Sequence, residues 1–247
     1  KEKVHASFVQ KIPLASKLYT KMLPLMPKAF ESFDFSSYDL VLCSSSSCAK
    51  GVITPPPVPH IAYVHTPMRY AWDQFFEYQK RSKKIVAFFM NKFMPSIRLW
   101  DFVSSQRIDS LIANSKYIQR RIKKYWNLDS KVIYPPVDTE RLCPNGLEPE
   151  NFYVVFSRFV PYKRIDLAIS ACGELGRKLV VIGGGSQEKE LKALAAKYKG
   201  ADIKFTGRIS DSEVQDYLMR CRAMIFSAEE DFGIIPVEAQ ACGRPVI

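Results

Sequence analysis

The chain is short of the residues that build metal centres and disulfide frameworks. Its 247 residues hold three histidines, His5, His60 and His65, without HxxxH or HxxE spacing, so no protein-bound metal is expected. None of the six cysteines, Cys43, Cys48, Cys143, Cys172, Cys221 and Cys242, forms a CxxC. Most sit among apolar or small neighbours that suit buried thiols, which points to a reduced, cytoplasmic setting. No apolar run is long enough to span a bilayer, because Asn91, Lys92, Pro95 and Arg98 interrupt the apolar and aromatic stretch at 85–100. Acidic residues are few beside basic ones, 25 against 36, for a net charge of +11. No RNP1-like run or finger spacing accompanies that charge, so nucleic acid is not an expected partner. What is present, 47% hydrophobic and 13% aromatic residues, suffices for one large or two modest cores.

The positive charge is clustered at Lys80, Arg81, Lys83 and Lys84, and again at Arg120, Arg121, Lys123 and Lys124. Such clusters attract anions, among them an acidic bilayer surface and nucleotide-sugar diphosphates, although a solvated helix face is the commonest explanation of any one cluster. Residues 1–35 interleave lysines with Leu, Met and Phe and are broken by Pro13, Pro24 and Pro27. They read as short helical pieces with a basic and apolar surface, facing a membrane or an acceptor, or as a surface loop region. The chain starts at Lys1 and stops at Ile247 inside a strand-like run, so an internal fragment is expected.

Along the first part, 38–43 (YDLVLC), 61–65 (IAYVH), 110–115 (SLIANS) and 131–134 (KVIY) read as strands. The second is apolar throughout, as for a strand buried on both faces of a parallel sheet. Four serines at 44–47 form a polar loop, TPPPVP at 54–59 a stiff connector, 85–100 two helical pieces, and 116–126 a basic amphipathic helix. The run LCPNGLEPEN at 142–151 is the linker candidate, with little that could pack, and the domain boundary falls after residue 145. Beyond it, strands at 152–157, 179–182, 203–206 and 223–226 alternate with helices at 164–175, 187–198, 211–218 and 236–242. That alternation predicts a parallel sheet with helices on both faces. Ser210 and Glu213 are spaced for a capping box.

The stretch 227–247, SAEEDFGIIPVEAQACGRPVI, organises the chain. Pro236 suits the first turn of a helix that Gly243 ends and Pro245 forbids from continuing. The preceding loop therefore carries a strand into a helix, beside the ligand crevice of open α/β sheets. The amides of Phe232, Gly233 and Ile234 then face an uncapped helix N-terminus, which suits phosphate or hydroxyl oxygens. Glu230 and Glu238 flank the turn, and ionised carboxylates can each accept from two vicinal hydroxyls. Either alone reads as a solvated charge. Arg158 and Lys163, in SRFVPYKR after a strand, are cations that can neutralise a diphosphate. Gly183, Gly184 and Gly185 follow a strand but lack the full G-x-G-x-x-G, and read as a tight turn.

The pattern Glu, seven residues, Glu with its FG-x-x-P-x-E-A core and C-G-x-P-V end resembles the signature of family-4 retaining glycosyltransferases. The run HTPMRYAWD at 65–73 resembles a loop of those members similar to bacterial polysaccharide mannosyltransferases, and PPVD at 135–138 the exit from their N-terminal domain. The resemblance implies an α/β chain of GT-B fold, with two Rossmann-like domains facing across a cleft and both incomplete here. Residues 1–145 would form the acceptor-side domain and 146–247 the donor-binding domain. It further implies transfer of mannose from GDP-mannose to a lipid-linked oligosaccharide, with retention of configuration and no metal, by a protein peripheral to an anionic membrane surface at the inner face of the cytoplasmic membrane. By the same resemblance Arg158 and Lys163 bind the diphosphate, Glu230 holds donor-sugar hydroxyls, Glu238 the ribose diol, and His65 lies by the sugar. Gly207 and Arg208 belong to the turn that meets the base. No nucleophile is assigned, since the family's front-face route uses the phosphate as base. A GT-B epimerase or phosphorylase, or a non-catalytic nucleotide-sugar or lipid-binding module, is the alternative.

Overall fold

The computed structural model describes residues 4–15, 19–144, 146 and 148–247. The chain divides into two compact units, Lys1–Tyr134 and Pro135–Ile247. The first holds 3-10 pieces at Phe8–Lys11 and Tyr19–Leu25 and a short helix α1 (Met26–Glu31). Its sheet is wholly parallel, in the order β1 (Val41–Ser45), β2 (His60–Val64), β3 (Ser110–Ala113) and β4 (Lys131–Val132). Helices α2 (Phe75–Arg81) and α3 (Lys84–Ser105) lie between β2 and β3, and α4 (Lys116–Trp126) joins β3 to β4. Ser115 caps α4 by accepting from the Ile118 amide at 3.1 Å, and Asn127 ends it in the left-handed region, φ 56°.

Two expectations are corrected in this unit. The stretch read as two helical pieces is one helix running through Pro95. Proline removes one helical hydrogen bond, but Pro95 is exposed, and Met94, Ile97 and Asp101 seat both halves on the same core. The sheet is also less covered than the apolar run 61–65 suggested. Burial alternates along β1 and β2, with Leu42 68% exposed, because the helices cover one face more fully than the other.

The second unit holds β5 (Tyr153–Phe156), α5 (Ile165–Glu174), β6 (Leu179–Ile182), α6 (Glu188–Ala195), β7 (Ile203–Gly207), α7 (Asp211–Arg220), β8 (Ala223–Met224) and α8 (Ile234–Ala241). The predicted alternation is present, and every pairing is parallel, in the order β7-β6-β5-β8. Val246 extends the sheet by a bridge to Met224. All four residues of β6 are buried, as a strand covered on both faces requires. The expected capping box forms: the Ser210 amide donates to Glu213 Oε2 at 2.9 Å, and the Glu213 amide to Ser210 Oγ at 3.3 Å. The segment read as having little that could pack contributes Leu142, 2% exposed, to this unit's core beside Val154, Leu218 and Cys242.

A buried ion pair ties the first unit together. Lys50, in a 3-10 turn after β1, places Nζ 3.1 Å from Asp101 Oδ1 and donates to Ser104 Oγ at 2.7 Å. Asp101 Oδ2 accepts from Trp72 Nε1 at 2.8 Å and Trp126 Nε1 at 2.7 Å. The ammonium lies over the rings of Trp100 and Trp126, so the chain's three tryptophans surround one pair. Burial pulls Lys50 below the ordinary lysine pKa, and Asp101 opposes that. Removing one partner of such a pair strands the other in a dry site, at a cost of about 3–5 kcal/mol. Lys50→Met should therefore lower the unfolding free energy, read from urea titration followed by tryptophan fluorescence, by that amount. A change below about 0.5 kcal/mol, ordinary for a surface substitution, would show that the pair does not hold the unit.

Candidate functional site

In the second unit the chain builds β5, β6 and β7 outward in one direction, then returns to place β8 on the other side of β5. Strand order reverses between β5 and β8, and ligands of open α/β sheets sit at that reversal, outside the carboxyl ends of the strands. The loops leaving those two strands carry Arg158 and Lys163 on one side and Glu230 and Phe232–Gly233 on the other. They are joined there. The Lys163 ammonium pairs with the Glu230 carboxylate, both side chains being mostly buried. Ser227 Oγ donates to the carbonyls of Lys163, at 3.2 Å, and Arg164, at 2.7 Å. The sequence expectation gave Lys163 to a diphosphate and Glu230 to sugar hydroxyls, and here each neutralises the other.

Lys163 ends a 3-10 turn, Pro161–Lys163, rather than opening the following helix. Arg164 caps α5 with φ 49°, a left-handed conformation uncommon for a residue with a side chain, and its guanidinium meets Asp166 at 3.0 Å. Tyr162 lies between the two expected phosphate ligands. Its hydroxyl is 3.4 Å from Arg158 Nη2, and Lys163 Nζ lies 5.3 Å from its ring centroid. Arg158 itself is exposed, with its guanidinium accessible to an incoming anion.

Across the reversal, α8 starts at Ile234, two residues before the 236–242 estimate, and Gly233 is its N-cap with φ 77°. No side chain caps this end, so the first amides keep their donors. A Cβ at Gly233 would combine that positive φ with contacts of 3.4 Å to the Phe226 ring and 3.7 Å to Glu230 Cβ. Glu238 lies one turn further on and is partly buried. Burial pushes its pKa up, Arg141 opposes this, and Asp211 adds to it. Arg141 was not singled out from the sequence, and no spacing rule would have found it, because only the folding of the 138–142 segment brings its charge near Glu238. Its backbone carbonyl is held by Gln215 of α7 at 2.6 Å.

Gly207 ends β7 with φ 74° and accepts from the Gly183 amide at 2.9 Å. The triple glycine is the tight turn that was expected. Gly183 has φ 130°, and Gly185 lies against the Phe159 backbone, where a Cβ would collide. The exposed Arg208 side chain runs along Gly184, 3.8 Å from where a Cβ would stand. The ends of β5, β6 and β7 are thus drawn together beside Arg158.

His65, the remaining site candidate, belongs to the first unit. Its Nε2 is 2.8 Å from Ser44 Oγ, its ring meets Tyr63 edge-on at 5.3 Å, and its amide donates to Ser45 at 2.8 Å. Ser44 and Ser47, in the run read as a polar loop that either bonds a ligand or is just a turn, hold His65 and the Tyr70 hydroxyl, the latter at 2.6 Å. The 66–73 segment is pinned by Arg121, which meets Asp73 at 2.5 Å and Thr66 Oγ1 at 2.6 Å. Arg121 was counted in an anion-attracting cluster and is in fact buried. Its place beside Ile118 and Ile122 on the inner face of α4 carried that signal at helical spacing. Among the described residues, no group of three or more His, Cys, Asp or Glu is placed to hold a metal ion.

The Glycosyltransferase Family 4 profile matches residues 2–141, and the Glycosyl transferases group 1 profile matches residues 143–247. The chain belongs to glycosyltransferase family 4. Among relatives, the family-4 chain is 25% identical over 184 residues to the O-antigen chain mannosyltransferase C of Escherichia coli, covering 68% of this chain and 46% of that one. It is 32% identical over 138 residues to the GDP-mannose-dependent alpha-(1-6)-phosphatidylinositol monomannoside mannosyltransferase of Mycolicibacterium smegmatis, covering 46% and 36%. Others are named D-inositol 3-phosphate glycosyltransferase. The chain spans less than half the length of these relatives. The HepE protein of Anabaena, solved with UDP and glucose, superposes with a TM-score of 0.61 at 18% identity, over 99% of this chain and 64% of that one. Likeness at that identity carries the fold, which is GT-B, here with two parallel four-stranded sheets.

The raised pKa of Glu238 has a measurable sign. Its acid form is favoured in the folded state, so stability is unaffected well below about pH 4.3, the ordinary glutamate value. Stability then falls as pH rises from there through the folded value. The wild-type protein should lose stability relative to Glu238→Gln across that interval, and carboxyl NMR should place the Glu238 midpoint above the ordinary range. Parallel stability curves would contradict the assignment.

Proposed function

We propose that the chain is part of the catalytic core of a retaining hexosyltransferase, which moves mannose from GDP-mannose to a lipid-linked oligosaccharide. The Lys163–Glu230 pair at the β5–β8 reversal, beside an uncapped helix, carries this reading. A site that holds one cation and one carboxylate against each other can exchange that contact for a ligand with both a phosphate and hydroxyls. The names of the mannosyltransferase relatives support mannose and a GDP donor, and the inositol phosphate relatives make the acceptor the open half of the reaction.

In this reading Lys163 turns from Glu230 to the diphosphate, Arg158 adds a bidentate fork, and the Gly233 and Ile234 amides face the same oxygens. Glu230, once released, accepts from hydroxyls of the donor sugar. Glu238 accepts from the ribose diol, and the Gly207–Arg208 turn meets the base. The nucleoside diphosphate leaves with growing negative charge, so donors already aimed at it lower the barrier without reorganising. The leaving phosphate serves as base on the face from which it departs, which retains configuration, and the side chains and amides supply the compensating charge without a metal.

Each charge-assisted contact is worth about 1.5–3 kcal/mol, a factor of roughly ten to a hundred. Lys163→Ala and Arg158→Ala should each weaken nucleoside diphosphate binding by that factor in calorimetric titration, and Glu238→Gln should mainly raise the donor KM. A panel of nucleotide-sugars offered to the intact protein with a lipid-linked acceptor should yield a retained mannoside from GDP-mannose. Unchanged nucleotide affinity in all three variants would remove the assignment. So would an epimer or sugar phosphate formed without acceptor, or binding without turnover.

A further inference from the structure

At the end of α8 away from the Gly233 turn, the 138–144 segment meets the helix, and each brings a cysteine. Leu142 is buried in the same core cluster as Cys242. Pro144 lies against Gly243, where a Cβ would stand 3.2 Å from the proline ring. Gly243 has φ 75° and no side chain, which is what lets the two stretches come this close. Cys143, between Leu142 and Pro144, is thereby set beside Cys242, which directly precedes Gly243. The segment is held in place without the cysteines: the Leu142 amide donates to the Asp138 carbonyl at 2.8 Å, and Gln215 Nε2 to the Arg141 carbonyl at 2.6 Å.

The two thiols differ in access. Cys143 is exposed, whereas Cys43, Cys48, Cys172, Cys221 and Cys242 are buried, Cys242 with 1% of its surface open. Burial pushes the Cys242 thiol above its ordinary pKa. The neighbouring Cys143 and Glu238 add to this, and Arg141 and Arg244 oppose it. A thiol that keeps its proton is a poor nucleophile, so a first reaction with an oxidant from solvent falls to Cys143. Cys221 also lies near Cys242, but its thiol is fully buried, is pushed up to about 11 and donates to the Leu218 carbonyl at 3.4 Å.

We propose that Cys143 and Cys242 are a dithiol oxidised by hydrogen peroxide, whose disulfide fastens the 138–144 segment to the end of α8. The Cys143 thiolate attacks one peroxide oxygen, the O–O bond breaks, hydroxide leaves, and Cys143 becomes a sulfenic acid. The Cys242 sulfur then attacks the sulfenic sulfur. The S–O bond breaks as the S–S bond forms, and the Cys242 proton leaves with the oxygen as water. Two thiols lose two electrons in all, and one peroxide is reduced to two waters. The bond bears on the site from behind, because the Cys242 amide donates to the Glu238 carbonyl at 3.1 Å and Arg141 lies two residues before Cys143. It locks together the segment that carries Arg141 and the helix that carries Glu238, whatever ligand the site takes.

The test treats the intact protein with hydrogen peroxide, blocks the remaining thiols and maps its peptides without reduction. A Cys143–Cys242 linked peptide is expected, with a melting midpoint raised by about 5 °C or more, both reversed by dithiothreitol. Cys143→Ser should lose the linked peptide and the shift. Its side chain is exposed, so under reducing conditions this variant should keep the wild-type melting profile and nucleotide affinity, and failure here is read separately from failure of the donor site. In Cys242→Ala, dimedone should capture Cys143 as the sulfenic acid. If that variant does not fold, the comparison of wild type with Cys143→Ser still decides. Both thiols remaining open to alkylation after peroxide overturns the proposal. So does a bond between Cys221 and Cys242, or a Cys143 joined only to a second copy of the chain.

Discussion

The contact between Lys163 and Glu230 is the constraint on which the second unit's site depends. Two loops that leave neighbouring strands at the point of reversed strand order would otherwise be free to splay. The ion pair and the two hydrogen bonds of Ser227 draw them together. That closure fixes where Arg158, Tyr162 and the open end of α8 lie relative to one another. A cation and a carboxylate held mostly out of water can exchange partners with a ligand that offers a phosphate to the one and hydroxyls to the other. In the proposed function the same contact supplies the groups that the donor recruits.

The first unit answers a different need with the same kind of interaction. Its pair, Lys50 with Asp101, is fully buried and surrounded by indoles, so nothing from solvent competes for it. Through Trp72 it anchors the segment that follows His65, and Arg121 anchors that segment at Thr66 and Asp73. His65 is then left with the Ser44 hydroxyl and the edge of Tyr63. One unit buries its ion pair to set a backbone. The other keeps its pair near the strand ends, where it can be exchanged.

Much of this was legible in the residues. The 3.6 and 2 periodicities gave the alternation of strands and helices beyond residue 150, Ser210 and Glu213 announced a helix start, and Gly183–Gly185 a close turn. These are local features, each decided within a few residues. What was not legible depends on distant partners. Lys50 looks like any surface lysine until Asp101, fifty-one positions away, is packed over it, and Arg121 looked like part of a basic cluster until Asp73 was beside it. The continuity of α3 through Pro95 was likewise decided by what Met94 and Ile97 rest on, not by the helix's own propensities. The mutual pairing of Lys163 and Glu230 was hidden for the same reason. Sequence reasoning assigns each charge to a ligand and does not show that, before one arrives, the charges satisfy each other.

A crystal structure of the intact protein with a nucleoside diphosphate tests the account most directly. The account predicts the diphosphate at the carboxyl ends of β5 and β8, within hydrogen-bond reach of Arg158, Lys163 and the Gly233 amide, with Lys163 turned away from Glu230. A nucleotide seated elsewhere, with the Lys163–Glu230 contact intact, would contradict it.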